Sequence, residues 1–355
     1  MSRASRARRV AIAAAYGGGS LGALGALGAA AYGLIIGETK LARRRIPQAE
    51  GNPPSADNTT WTAPSAFARH RGRGGDPLRI AMLGDSTAAG YGVHRDVETP
   101  GVQLAMRLSA VAGRPVHLTS VAVVGAESEG LGEQVVRALP RHADLAVIMI
   151  GANDVTHRIR PADAIRHLSE AVKALRAAGV EVVVGTCPDL GTIRPIAQPL
   201  RLIARRLSRT LAAAQTIAVV ENGGRTVSLG DMIGPGFAKN REWFAADQFH
   251  PSAEGYRAAV EALLPSAVDA LGLATSTEAA TMFTGRRARP VAKAAARAAN
   301  NPGSEVLPAE VGGSPAGRRG RWARIIRRQT TDEIPAPPAG DTDDLAADLA
   351  PSTPH

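Results

Sequence analysis

The chain has 355 residues, 45% of them hydrophobic but only 3% aromatic, which allows one or two domains whose cores are mostly Ala, Val, Leu and Ile. The lone cysteine, Cys187, excludes an intramolecular disulfide, and no Cys/His cluster has zinc-ligand spacing. The formal net charge is +10, with the excess near the two ends in SRASRARR, LARRR, GRRARP and GRRGRWARIIRR; such clusters attract anionic lipid or nucleic acid, but the chain has no nucleic-acid module and few aromatics for base stacking, so no nucleic-acid partner is expected.

Residues 1–9 form a basic N-terminus with Arg3, Arg6, Arg8 and Arg9. An uncharged stretch follows over 10–37, then Lys40, Arg43, Arg44 and Arg45. The core of an export signal is usually ~7–15 residues, and a spanning helix needs ~20. The stretch is therefore read as a transmembrane anchor or an export signal, which places the protein at the cell membrane or in the cell envelope. Both flanks are basic, so the positive-inside rule does not orient it. Residues 38–76, rich in Pro, Gly, Asn and Arg, read as a linker.

From residue 77 the texture changes, and a folded domain is expected over 77–275. Five apolar β-rich runs appear: Arg79–Leu83, Val116–Val124, Leu145–Ile150, Glu181–Gly185 and Thr226–Leu229. Helical patterns lie between and after them, at Gly101–Ala112, Pro161–Ala178, Pro199–Val220 and Ala253–Leu271. Pro161 suits a first helical position. Strands alternating with helices predict an α/β fold, a three-layer α/β/α sandwich around a parallel sheet. The strands are almost continuously apolar, as expected when both faces are covered. Residues 276–355, first basic and then acidic, read as a disordered tail.

Chemistry-bearing residues fall at the strand ends, where open parallel sheets bind ligands. The first run ends in Gly84-Asp85-Ser86, the second in Val124-Gly125-Ala126-Glu127-Ser128, the third in Gly151-Ala152-Asn153-Asp154; far downstream stands Asp247-Gln248-Phe249-His250-Pro251. A serine hydroxyl needs a base to become a nucleophile, and His250 is the candidate base for Ser86. A carboxylate that holds the imidazole tautomer and stabilises the imidazolium completes such a set; Asp247, three residues earlier, is the candidate. The tetrahedral intermediate needs donors aimed at its oxyanion. The backbone N–H groups of Ser86 and Gly125 and the amide of Asn153 are the candidates.

Together these four blocks resemble the SGNH/GDSL hydrolase family of esterases and lipases, over roughly residues 78–272, and in particular its exported or membrane-anchored members. GDS at 84–86 matches the nucleophile block, Gly125 the second, GAND at 151–154 the third, and DQFH at 247–250 the fourth. Two departures stand out: Thr87 follows Ser86 where many members have leucine, and VAVVGAES lacks the asparagine often found before the second block's glycine. The resemblance implies a flavodoxin-like five-stranded parallel sheet. It also implies a serine esterase with Ser86, Asp247 and His250 as triad, Ser86, Gly125 and Asn153 as oxyanion hole, and no metal or organic cofactor. A small-molecule or lipid ester is the expected substrate. An O-acyltransferase using the same triad and a catalytically silent membrane-tethered binding protein stay open as alternatives. Asp85 is read as orienting its turn, Asp154 as holding its loop, Cys187 as buried and inert, and His94 and His157 as exposed. No G-x-G-x-x-G, G-x-x-x-x-G-K-[ST] or G-x-S-x-G motif covers the Ser86 stretch.

Overall fold

The computed structural model describes residues 51–63, 76–193, 195–229, 240–273, 289–301, 304–308 and 322–327. The predicted anchor or export signal at 10–37 lies outside the described residues. Among those described, no helix is long and apolar enough to cross a membrane.

The centre of the fold is the expected parallel sheet. Strands β2 (Leu78–Gly84), β3 (Val116–Ser120), β4 (Leu145–Met149), β5 (Glu181–Gly185) and β6 (Arg225–Val227) lie side by side in the order β3-β2-β4-β5-β6, and every neighbouring pair among them is parallel. This is the flavodoxin-like order, with the strand order reversing at the β2 position. Alternate residues of a strand point to opposite faces. Ile80 and Met82 therefore enter one core with Leu104, Leu108, Val260 and Leu263, and Ala81 and Leu83 enter the other with Leu131, Leu168, Val172 and Val219. Each fully buried Leu, Ile or Val contributes about 1.5–3 kcal/mol. Helices α2 (Pro100–Ala112) and α7 (Ala253–Ala270) cover the first face; α3 (Leu131–Ala138), α5 (Pro161–Ala177) and α6 (Leu200–Glu221) cover the second. Helix α3 escapes the sequence pattern because its apolar stripe is only Leu131, Val135 and Ala138, two turns long.

Three expectations need correction. First, among the described residues the sheet continues beyond the five parallel strands to nine, in the order β1-β3-β2-β4-β5-β6-β8-β9-β7. Second, the stretch read as linker supplies β1 (Thr59–Trp61), which pairs antiparallel with β3. Asp57 Oδ1 accepts the Ser120 N–H at 2.8 Å there, and Trp61 packs on the core. Third, part of the stretch read as disordered tail returns to the opposite edge. Strands β7 (Arg289–Pro290), β8 (Ser304–Pro308) and β9 (Trp322–Arg327) extend the sheet antiparallel from β6. Helix α8 (Val291–Ala298) buries Val291, Ala294 and Ala298 against Val220 and Val306. The partner of the short strands is the edge of a sheet made elsewhere, so no local periodicity announces them; α8 does carry a helical stripe, Val291, Ala294, Ala295 and Ala298. The second run also stops at Ser120 rather than Val124, because its neighbour β2 turns into a helix at Asp85, leaving Val123 and Val124 exposed.

Candidate active site

The strand β2 ends at Gly84, whose φ of +133° only glycine accommodates easily. A side chain there would overlap the carbonyl oxygen of Met149 on β4. The chain then reverses into the one-turn helix α1 (Ser86–Ala89), capped by the Asp85 carboxylate, which accepts the Thr87 N–H at 2.9 Å. Ser86 thus stands at the first position of a helix, at the C-terminal edge of the sheet.

Across from it, His250 Nε2 lies 2.9 Å from Ser86 Oγ. The other ring nitrogen, Nδ1, lies 2.6 Å from Asp247 Oδ2. Asp247 Oδ1 accepts the backbone N–H groups of Phe249 and His250, both at 2.9 Å, so one carboxylate shapes its own loop and holds the ring of His250. Burial pushes the Asp247 carboxyl up, but the hydrogen bonds from the His250 ring and these N–H groups outweigh it and hold the group below the usual carboxylate range. The sequence placed these three residues in one set; the structure brings them into one hydrogen-bonded row.

The other two oxyanion candidates follow β3 and β4. Gly125 lies on the loop after β3, exposed and with φ +82°, and that loop is tied to the serine turn by the Val123 N–H donating to the Gly84 carbonyl at 3.1 Å. Asn153 lies in α4 (Ala152–Thr156), and its Nδ2 donates to Ala126 O at 2.9 Å. An amide nitrogen has two hydrogens, so the second is left for a substrate oxygen. Asp154 is buried and does hold its loop: it accepts the Ser128 N–H at 3.0 Å and the Ser128 hydroxyl at 2.8 Å. Burial raises its carboxyl above the usual range. On the rim, His157 Nδ1 and Glu127 Oε1 are 2.8 Å apart. The exposed His94 donates its backbone N–H to Glu98.

Asp85 is buried beside the serine, and burial pushes its carboxyl up to about 6 against the hydrogen bonds from Thr87. It borders a cavity of about 30 Å³ lined also by Thr87, Ile150, Thr186, Pro251 and Ala259. The Thr186 hydroxyl is buried without a hydrogen-bond partner among the described residues. Cys187 is buried, and burial pushes its thiol well above the usual value.

Other residues that shape the site carry no motif. The rings of Tyr91 and Phe249 stand edge-on to His250, with centroids 4.7 and 4.9 Å away. The Tyr256 hydroxyl donates to the Tyr91 carbonyl at 2.7 Å. Two buried glutamines each link a strand-end loop to a helix: Gln134 exchanges both amide bonds with the backbone of Gly84, and Gln215 bonds Cys187 N and Ile150 O. A glutamine inside a helix gives no signal of such a partner.

Comparison with known proteins follows this geometry. Residues 82–258 match the GDSL-like lipase/acylhydrolase family. The chain is 40% identical over 241 residues to a GDSL-like esterase of Mycobacterium tuberculosis, covering 67% of this chain and 77% of that one. Among solved structures it is similar to TesA, with TM-score 0.44, 22% identity and coverage of 54% of this chain and 99% of that one. It is also similar to the acetylxylan esterase Axe2 of Geobacillus stearothermophilus, with TM-score 0.44, 16% identity and coverage of 57% and 98%.

Proposed function

The chain belongs to the GDSL-like lipase/acylhydrolase family and is an ester-bond hydrolase, and on that premise we propose that it cleaves carboxylic esters through an acyl-enzyme on Ser86, at the cell envelope. The observation that carries this reading is the row Ser86 Oγ, His250, Asp247, with contacts of 2.9 and 2.6 Å.

In the proposed reaction Ser86 Oγ attacks the acyl carbon while His250 Nε2 takes its proton. Asp247 keeps the other ring nitrogen protonated and stabilises the imidazolium. The oxyanion is held by the N–H groups of Ser86 and Gly125 and by the free hydrogen of Asn153 Nδ2. Collapse breaks the ester C–O bond, and His250 returns the proton to the leaving alcohol. Water, deprotonated by the same imidazole, then adds to the acyl-enzyme, and Ser86 leaves as the hydroxyl. The uncharged N-terminal stretch with basic flanks supports the envelope location, where lipid or cell-wall esters are the available substrates.

The test is hydrolysis of p-nitrophenyl esters of graded chain length by the full chain, with fluorophosphonate labelling in parallel. Activity and labelling should both vanish in Ser86→Ala. A folded protein that neither hydrolyses nor labels would point to the silent binding protein. Labelling with acyl transfer to an added sugar alcohol, but not to water, would point to the acyltransferase.

A further inference from the structure

From Leu200 to Val220 the helix α6 carries Arg201, Arg205, Arg206 and Arg209 and no acidic residue. Its inner stripe, Ala204, Ser208, Leu211, Ala212 and Gln215, is buried. At the helical period the opposite stripe holds Leu202, Arg206, Leu207 and Thr210, all exposed. Leu202 is 61% and Leu207 45% exposed. Leucines exposed singly are ordinary; here two share a face with a guanidinium that they flank. Arg205 and Arg209 meet Asp189 at 3.4 and 2.9 Å. Among the described residues no carboxylate pairs with Arg201 or Arg206.

The face also has a place. Leu200 and Ala204 belong to the small apolar cluster that includes Ile193, Ala152 and Phe249. Ala152 precedes Asn153, and Phe249 precedes His250. The first turns of α6 therefore border the candidate active site. Leucines among arginines with no compensating acid suit an interface of acyl chains and anionic headgroups, where the guanidinium reaches phosphate and the leucine enters the acyl boundary. Single-stranded nucleic acid would be met by aromatic platforms, and Leu202–Thr210 holds no aromatic residue.

We propose that the outward face of α6, centred on Leu202, Arg206 and Leu207, docks on an anionic lipid surface next to the active site. This docking is independent of the chemistry proposed for Ser86 and of the N-terminal segment.

The experiment uses the full chain with a single added cysteine carrying an environment-sensitive fluorophore; the native Cys187 is buried. The probe at Leu202→Cys should shift to the blue on equimolar phosphatidylcholine–phosphatidylglycerol vesicles and stay unchanged on phosphatidylcholine alone. The same probe at Val111→Cys, exposed on α2 in the opposite helix layer, should not respond. Adding Arg206→Gln should raise the lipid concentration for half the shift by roughly fivefold. Hydrolysis of p-nitrophenyl acetate should be unchanged. The basic ends of the chain contribute equally to parent and variant. The proposal is overturned by no shift at position 202, by an equal shift at 111, by an equal response to neutral vesicles or to duplex DNA, or by an Arg206→Gln variant within about twofold of the parent.

Discussion

The Asp154 carboxylate accepts two hydrogen bonds from Ser128, one from its N–H at 3.0 Å and one from its hydroxyl at 2.8 Å, both groups being buried. That pair fastens the loop of Gly125 to the helix of Asn153. Removing the Ser128 hydroxyl leaves a buried carboxylate short of one donor, which costs about 1–3 kcal/mol. Ser128→Ala should lower stability by that amount in urea denaturation. It should also reduce kcat more than it raises KM, because misplaced oxyanion donors matter most in the transition state.

Asp247→Asn keeps the shape of the carboxylate but presents a donor as readily as an acceptor to His250 Nδ1. The imidazole then loses its enforced tautomer, and kcat should fall by about 10³–10⁴-fold. The folded state should survive. Near-ultraviolet circular dichroism and steady-state kinetics on the same sample separate the two effects.

Asp85 gives the stability a pH dependence of unusual sign. Its folded carboxyl is pushed up to about 6, above the ordinary 3.8 of an unfolded aspartate, so between these values the folded state holds a proton that the unfolded state has released. Stability from this group is therefore greatest below the unfolded value and declines as pH rises through the folded one, by ~3 kcal/mol in total. Asp247, held low, acts oppositely: its contribution is present above the unfolded value and is lost as pH falls through the folded one. In Asp85→Asn, which keeps a capping side chain, the decline between about pH 4 and 6 should flatten. Thermal melts of parent and variant across that range check it; parallel curves would assign the slope to other groups.

Gly84→Ala should be among the most damaging small substitutions. It forces a side chain into φ +133° and against the Met149 carbonyl. Steric and backbone strain of this kind costs upward of about 3 kcal/mol. The expected result is loss of soluble protein, or a large drop in the urea midpoint. A variant as stable as the parent would mean that β2 and β4 can separate at little cost.

Thr186→Val should be neutral or stabilising by up to about 1 kcal/mol, since the threonine hydroxyl is buried without a partner among the described residues, beside a small cavity. A loss of more than that would show that the hydroxyl bonds an ordered water, for which the cavity has room.

The five central strands, the helices of three turns or more that cover them, and the four blocks, three of them at strand ends, were legible in the letters alone. These features are local. Ile80 and Met82 alternate with Ala81 and Leu83 because both faces of β2 are covered, and that shows in four consecutive letters. Asp247 and His250 are three residues apart, so their pairing was legible too. Whatever depends on distant partners was settled by packing. Thr59–Trp61 and Ser304–Pro308 are strands because a sheet edge is there to receive them. Gln134 and Gln215 matter because folding aims them at the Gly84 and Cys187 backbones. The carboxyl of Asp85 is raised because the structure takes water away from it, and α6 shows Leu202 and Leu207 to solvent because no described element covers that side. Periodicity records which face of an element is apolar; hydrogen-bond partners, desolvation and the company of a surface residue belong to the packed molecule.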